Sequence, residues 1–321
     1  MKRHHQILAG ILVVQIILSV LVFWPRSAGT SVSEPLFPNL KADDIVALNI
    51  TDADGKSIGL KKVSGNWILP EADDYPAKAD KITPLLDKIV GLTTSRLVTR
   101  TDTSHKRLRV SPNDFVRRIE FETADGTKRT LYLGSSPSYG VTHFRVEGQS
   151  ETYLTNALST WETNATATAW VDSLYLNVPQ DKIAKVTLEN SHGRLIFTKN
   201  DQGKWTMSGL AAGETLDEAK VTSLVQRAAS VNMIKPLGKK DQAAYGMDKP
   251  QAVVTLETED RTITLRVGAK DPTDNTYVII SSESPYYVRV SEYTVKELVE
   301  GKHDDFLQAP PTPTPEATKA L

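Results

Sequence analysis

The feature that most constrains this chain is an internal repeat that covers most of its length. Ile45, Leu48, Gly55 and Trp67 each recur at a constant offset of 138 positions, from 45 to 183 and from 67 to 205. The second set is Ile183, Val186, Gly193 and Trp205. A period this long is typical of tandem globular domains rather than of a solenoid. The repeat predicts that Trp67 and Trp205 lie in equivalent, buried positions.

The sequences of the two copies predict the same order of strands and helices. Residues 45–69 alternate apolar and polar side chains between turn residues, which indicates a three-stranded antiparallel meander. Apolar residues at helical spacing follow over 77–92, and strands resume over 115–133. The second copy repeats this order, with a helix over 216–229. The sequence therefore predicts an α+β fold with two tandem repeats of a sheet-plus-helix domain. The predicted repeats are residues 40–172 and 178–307.

Residue types also predict which later strands of the two copies correspond. Residues 144–146 match 277–279, and Tyr153 matches Tyr287. The offset between Gly134 and Gly268 is 134 (268 − 134), so the second copy is shorter by about four residues in between.

The N-terminal segment indicates a membrane anchor. Residues 7–24 are almost wholly apolar and follow Lys2 and Arg3. Such a helix is about 27 Å long, which is enough for a bilayer core. The preceding positive charges favour a cytoplasmic N-terminus. We therefore expect a cytoplasmic segment 1–6, a transmembrane helix 7–24, a linker 25–39 and a body on the outer side of the membrane.

A cleaved signal peptide is the alternative to this anchor. Cleavage would leave a new N-terminus near Ala28 or Gly29, but the residues there are a poor match to a small-x-small site. The chain has no Cys, so the body has neither a lipid-modified cysteine nor a disulfide and depends on core packing. A Pro- and Thr-rich stretch over 308–321 predicts a disordered tail.

Charge and composition argue against several function classes. The formal net charge of −1 provides no field that would attract nucleic acid. The one locally basic stretch, residues 96–109, lacks interleaved aromatic residues, and we interpret it as a solvated loop.

Candidate chemistry is sparse. The loop 134–140 lacks the Gly-Lys-Ser/Thr ending of a phosphate-binding loop, and we interpret it as a hairpin connection. Residues 271–275 lack the pattern of a calcium loop, and we interpret them as a turn.

Three carboxylate pairs are interpreted as solvated or helix-capping residues. They are Asp43-Asp44, Asp73-Asp74 and Asp304-Asp305. Trp67 and Trp205 are interpreted as core residues rather than a sugar-stacking pair.

The histidines complete this inventory. They show no metal-ligand spacing. They are His4, His5, His105, His143, His192 and His303. We therefore predict no catalytic, cofactor-binding or metal-binding residues, and no enzyme activity.

These features together resemble a known family. They are the anchor, the repeated Ile-x-x-Leu/Val with a turn Gly and a Trp, Tyr75-Pro76-Ala77 before the first helix, and Tyr245-Gly246-Met247 after the second. The chain resembles the bacterial domain-of-unknown-function family 4340 over roughly residues 36–307. In the first copy the Tyr-Gly-Met element is degenerate, as Leu108-Arg109-Val110.

The resemblance implies an accessory protein of ABC transporters of the gliding-motility type. The expected function is that of an anchored scaffold that binds an ABC permease and a companion extracytoplasmic subunit. The alternative is a free-standing envelope module that binds polysaccharide or peptidoglycan.

Overall fold

The computed structural model describes residues 11–15 and 33–309. Over these residues the fold is α+β, as predicted, with two large antiparallel sheets and few helices. Residues 11–15 are helical. Within the described part of the chain, no helix is both long and apolar enough to cross a membrane. The anchor over 7–24 and the tail over 308–321 lie largely outside the described residues and stay predictions.

Lobe 1, residues 33–172, is built on a nine-stranded sheet. The strands of lobe 1 are β1 (Ile45–Asp52), β2 (Ser57–Val63), β3 (Asn66–Leu69), β4 (Tyr75–Pro76), β5 (Leu97–Thr99), β6 (Val110–Ser111), β7 (Asp114–Phe115), β8 (Arg117–Thr123), β9 (Lys128–Leu133), β10 (Thr142–Val146) and β11 (Thr152–Thr155). Strands β6 and β7 form a separate two-stranded sheet. The α-helices of lobe 1 are α1 (Ala79–Val90) and α2 (Thr103–Arg107), and 3-10 turns occur at Ala42–Asp44, Pro70–Ala72 and Ala167–Ala169.

Lobe 2, residues 173–309, is built on an eight-stranded sheet. The strands of lobe 2 are β12 (Leu174–Asn177), β13 (Ile183–Asn190), β14 (Gly193–Lys199), β15 (Trp205–Met207), β16 (Ser230–Asn232), β17 (Lys235–Gly238), β18 (Ala252–Thr258), β19 (Thr262–Lys270), β20 (Tyr277–Ser281) and β21 (Tyr287–Val290). Strands β12 and β16 form a separate two-stranded sheet. The α-helices of lobe 2 are α3 (Glu218–Ala229) and α4 (Glu292–Glu300), and 3-10 turns occur at Gln180–Lys182, Ala243–Tyr245 and His303–Phe306.

The two sheets have the same strand order. Lobe 1 runs β4-β3-β2-β1-β8-β9-β10-β11-β5, and lobe 2 runs β15-β14-β13-β18-β19-β20-β21-β17. Apart from β4, every strand of one sheet has a counterpart at the same place in the other. In each lobe the first meander and the later strands are not separate sheets, because β1 pairs with β8 and β13 pairs with β18.

Details of strand register repeat as well. The β1–β8 ladder has a bulge between Ile45 and Ala47, and the β13–β18 ladder has one between Ile183 and Lys185. Trp67 in β3 and Trp205 in β15 are 4% and 8% exposed. The prediction that these two residues lie in equivalent, buried positions is confirmed.

The match of later strands by residue type is wrong in register. Leu133 pairs with Phe144, and the corresponding Val267 pairs with Ile279 rather than with Tyr277. Across the next ladder Phe144 pairs with Tyr153, and Ile279 pairs with Val288, so Tyr153 corresponds to Val288 and not to Tyr287. The reason is that β19 is longer than β9 and its pairing with β20 shifts between Val267 and Lys270.

The repeat also includes residues that precede the first strand of each sheet. Pro35 forms an antiparallel bridge with Thr93, which follows α1. In lobe 2, Leu174 of β12 pairs with Asn232 of β16, which follows α3. The two partners in lobe 2 each lie 139 positions after their counterparts in lobe 1 (174 − 35 and 232 − 93). Each copy therefore begins with a segment that pairs with the residues just after its own helix.

The main core lies between the helices and one face of each sheet. Helix α1 buries Ile82, Leu86 and Ile89, and α3 buries Val221 and Leu224, at the spacing of one helical face. The buried apolar side chains of both lobes form one continuous cluster, which includes residues 170–178 between them. At about 25 cal/mol per Å² of apolar surface removed from water, this burial is the main stabilising term.

A smaller cluster lies on the opposite face of each sheet. Tyr132 packs with Leu108 and Val110 there, whereas its neighbours Leu131 and Leu133 belong to the main core. This division follows from the alternation of side chains along a strand. In lobe 2 the corresponding cluster contains Tyr245, Met247 and Val278.

A backbone crossing holds this second cluster close to the sheet. A Cβ on Gly134 would lie 2.1 Å from the carbonyl oxygen of Leu108, and a Cβ on Gly268 would lie 2.0 Å from that of Tyr245. The crossing segments share a left-handed residue, since Arg109 has φ 57° and Gly246 has φ 67°. The degenerate Leu-Arg-Val element therefore keeps the backbone of the Tyr-Gly-Met element.

We expect Gly268→Ala to destabilise the protein by about 3 kcal/mol, because the new methyl overlaps a backbone carbonyl that cannot rotate away. Gly59→Ala in β2 is the matched control. The nearest atom to its Cβ is the Glu71 carboxylate at 4.0 Å, so we expect a change within about 1 kcal/mol. Urea unfolding of both variants measures the difference. Equal stability of the two would contradict the described crossing.

Candidate interaction surface

The histidines are dispersed. His105 and His143 are buried, and each places a ring nitrogen near a backbone carbonyl, of Ser150 at 2.9 Å and of Ser135 at 2.7 Å. His192 lies in the exposed turn between β13 and β14. His4 and His5 lie outside the described residues. Over residues 11–15 and 33–309, no three His, Asp or Glu side chains form a group that could hold a metal.

The loop after Gly134 and the loop after Lys270 are hairpin connections. Residues 134–141 join the antiparallel neighbours β9 and β10, and residues 271–276 join β19 and β20. In the second loop Asp271 accepts hydrogen bonds from the Thr273 N–H and hydroxyl at 3.0 and 2.6 Å. These bonds lower the pKa of Asp271. The hairpin and turn predictions are confirmed.

Two of the three carboxylate pairs act as predicted. Asp44 accepts a hydrogen bond from the Lys41 N–H at 2.9 Å, and Asp305 accepts one from the Lys302 N–H at 3.1 Å. Each caps a 3-10 turn. Asp73, of the third pair, has a different role.

Asp73 joins the two lobes. Its Oδ2 accepts a hydrogen bond from the backbone N–H of Lys239, just after β17, at 2.8 Å. A Cβ on Gly238 would lie 2.6 Å from the same oxygen, so only glycine permits this approach. Asp73 and Asp74 are both left-handed, with φ 50° and 63°, which turns the carboxylate towards lobe 2. The interpretation of Asp73 as a solvated or capping residue is therefore wrong.

Aromatic side chains surround this contact. The rings of Tyr75 and Tyr286 meet edge to face with centroids 4.7 Å apart, and the Tyr286 hydroxyl donates to the Asp74 carbonyl at 3.2 Å. The Tyr175 hydroxyl donates to the Tyr286 carbonyl and accepts from the Ser281 N–H, at 2.8 and 2.9 Å. We call these residues, with Asp73, Gly238 and Lys239, the lobe junction. Burial raises the pKa of Tyr75 to about 12, so its hydroxyl is protonated at neutral pH.

The electrostatics of the lobe junction favour the ionised Asp73. The Lys239 N–H bond, followed by the charges of Lys240 and Lys239, lowers the pKa of the Asp73 carboxyl below its ordinary value of 3.8, against an opposing effect of burial. The carboxylate therefore remains charged throughout the physiological pH range.

The basic stretch 96–109 is not the solvated loop that was predicted. It contains edge strand β5 and helix α2. Among the described strands β5 pairs only with β11 and is the last strand of its sheet. Leu97 and Val98 are 38% and 39% exposed, and Arg96 and Arg100 beside them are exposed as well. We call Arg96, Leu97, Val98 and Arg100 the β5 surface.

One of the tryptophans within residues 33–309 is exposed and marks another surface. Trp161 is 75% exposed and lines a depression of about 250 Å³ with Lys81, Lys88 and Glu162. Lys88 and Glu162 form an ion pair there. Among the described residues no second ring pairs with Trp161, whereas Trp67, Trp170 and Trp205 are buried.

Sequence reasoning missed both the lobe junction and the β5 surface. A pair of Asp residues before a Tyr-Pro is an ordinary turn signal, and nothing local to it identifies a partner 166 residues away. The signal that could have identified β5 is the run Leu97-Val98-Thr99, which is rich in β-branched residues but short.

Comparison with known proteins gives one match. The profile of the family described as "Domain of unknown function (DUF4340)" matches residues 67–233 and 214–306. No curated protein and no solved structure matches the chain.

We expect Asp73→Ala and Gly238→Ala each to loosen the lobe junction, the first by removing the acceptor and the second by a clash. The effects should be non-additive, because the clash of Gly238→Ala is with the Asp73 carboxylate itself. Thermal unfolding of the two single variants and the double variant measures this coupling. Gly203→Ala, also at positive φ but with no atom within 4 Å, controls for backbone strain. Strict additivity would contradict the junction geometry.

The hydrogen bond between the Lys239 N–H and the Asp73 carboxylate predicts that the stability of the protein depends on pH. Because the pKa of Asp73 is lower in the folded state, its stabilising effect is complete above its ordinary pKa and is lost as pH falls through the lowered value. We expect the difference in melting temperature between wild type and Asp73→Ala to be constant above about pH 5 and to shrink at lower pH. A difference that grows below pH 4 would contradict this sign.

Proposed function

The chain belongs to the DUF4340 family, and from that membership we propose that it is a membrane-anchored, extracytoplasmic accessory subunit of a gliding-motility-type ABC transporter complex. In this proposal the chain acts by binding proteins. Its partners are the permease and a companion extracytoplasmic subunit, and the membrane is the bacterial inner membrane.

The proposed anchor is residues 7–24. Residues 11–15 of this stretch are helical, and Ile11, Leu12, Val13 and Val14 are all more than half exposed. Four consecutive exposed aliphatic side chains are costly in water and stable in a bilayer. With Lys2 and Arg3 before them, they support an inward N-terminus and an outward body.

The observation that carries a binding role is the β5 surface. Lobe 1 leaves β5 as an exposed edge with two apolar side chains, whereas the equivalent strand of lobe 2 lies against the other lobe at the lobe junction. An edge strand whose outer side is not covered by its own chain can pair with a segment of another chain. Duplicated packing residues and an exposed edge fit a scaffold better than an enzyme.

The alternative function is a free-standing module that binds envelope polysaccharide or peptidoglycan. Trp161 favours it, because an exposed indole beside a depression can stack on a sugar ring. We rank it second because sugar platforms usually combine several rings, whereas the other described tryptophans are buried.

Purification of the tagged full-length protein from native membranes in mild detergent tests the accessory role. We expect an ABC permease or its companion subunit in the eluate, because anchor and body would both contact the complex. Replacing residues 7–24 with an unrelated transmembrane helix keeps the protein at the membrane and should weaken recovery of the permease.

Trp161→Ala is the matched variant for the alternative. Under the accessory proposal it leaves permease recovery unchanged. If the protein purifies alone, and instead retains a glycan that Trp161→Ala abolishes, the accessory role is wrong and the polysaccharide role replaces it.

A further inference from the structure

Strands β5 and β17 occupy equivalent places and share an irregularity. Leu97 pairs with Tyr153 and Thr99 pairs with Thr152, so β5 has one extra residue in this ladder. Strand β17 has the same extra residue, because Pro236 pairs with Val288 and Gly238 pairs with Tyr287. The register therefore equates Thr99 with Gly238 and Arg100 with Lys239.

The contact at β17 indicates the chemistry that the equivalent edge of lobe 1 could accept. At Lys239, the position equivalent to Arg100, the backbone N–H donates to a carboxylate, and the surrounding charge is positive. Along residues 96–107, which include β5, the exposed charge is also mostly positive. The exposed basic residues are Arg96, Arg100, Lys106 and Arg107. The nearby carboxylates are Glu151, 3.6 Å from the Arg100 guanidinium, and Asp102, 3.8 Å from His105.

The occupant of β5 differs in geometry from the turn that meets β17. Gly238 admits the Asp73 carboxylate because it has no Cβ. Thr99 has a Cβ at that position, so a tight acidic turn cannot approach as closely. An extended segment that lies along the strand edge avoids this overlap, since its side chains project above and below the sheet.

A second copy of this chain cannot repeat the lobe junction at β5 through the equivalent turn. The stretch of lobe 2 that corresponds to the Asp73 turn is residues 208–215, and its one carboxylate is Glu214. Glu214 already accepts a hydrogen bond from the Ala211 N–H at 2.8 Å and lies 3.5 Å from His303. This turn of lobe 2 is therefore not a suitable ligand for β5.

We propose that the β5 surface binds an extended, acidic segment of a partner protein, which pairs with the free edge of β5 and extends the sheet of lobe 1 by one strand. Leu97 and Val98 contact apolar side chains of the segment, and Arg96 and Arg100 pair with its carboxylates. This inference rests on the proposed protein-binding function and specifies the chemistry of one partner.

The test uses the purified full-length protein and the labelled peptide Glu-Val-Glu-Val-Thr-Val-Glu-Val-Glu as probe. We expect saturable binding by fluorescence anisotropy, slower amide hydrogen exchange over residues 97–99, and weaker binding at high salt. The double variant Arg96→Glu/Arg100→Glu should weaken binding by about tenfold or more, because it reverses the charge that meets the peptide. Arg194→Glu/Lys204→Glu, an equal charge change on exposed residues of lobe 2, should leave it unchanged.

Two altered peptides separate strand pairing from simple charge attraction. A peptide with Lys in place of Glu should not bind. A peptide methylated at alternate backbone nitrogens keeps its side chains but cannot pair with an edge strand, and it should not bind either. Equal binding by the methylated peptide, or exchange protection away from β5, would overturn the inference.

The result of the peptide-binding test can be distinguished from the result of the co-purification test of the proposed function. If the permease co-purifies but the acidic peptide does not bind at β5, the inference falls while the accessory role stands. If the peptide binds at β5 with the expected pattern while no transporter subunit is recovered, the inference stands and the accessory role falls.

Discussion

The pairing of each lobe's first strand with a strand far along the chain is the interaction on which the rest of the structure depends. Leu48 of β1 faces Phe121 of β8, and Val186 of β13 faces Leu256 of β18. Each pairing fuses a local meander with a later set of strands into one wide sheet. That sheet provides a single apolar face for its helix, and it fixes which strands become edges. Both the lobe junction and the β5 surface lie at such edges.

The sequence predicted what depends on local pattern. Turn residues, alternation and helical spacing identified the meanders and both long helices, and the repeated tryptophans identified equivalent core positions. It did not predict register in β20, because pairing shifts after Val267 and residue type then misaligns Tyr277. Nor did it predict the contact of Asp73 with Lys239. That contact depends on how two lobes pack, which no local pattern encodes.

The duplicated lobes satisfy one backbone requirement with different residues. In lobe 1 the buried Arg145 donates from Nε to the Val110 carbonyl at 2.7 Å and lies over the Tyr132 ring at 4.9 Å. In lobe 2 Arg266, at the position of Tyr132, donates to the carbonyl of Met247, the counterpart of Val110. A buried carbonyl needs a donor, whichever strand supplies it. The two copies therefore share a hydrogen-bonding plan more closely than they share side chains.

The lobe junction is a head-to-tail contact, in which two like units meet through unlike surfaces. Identical units joined this way form a ring if the rotation between neighbours closes, and an open filament if it does not. In this chain residues 208–215 of lobe 2 do not reproduce the acidic turn of Asp73 and Asp74, so the same residues cannot repeat the lobe junction between chains. The divergence of one short turn thus makes the free surfaces of the two lobes chemically distinct. A chain with an acidic turn in lobe 2 and Gly in place of Thr99 would be a candidate for polymerisation.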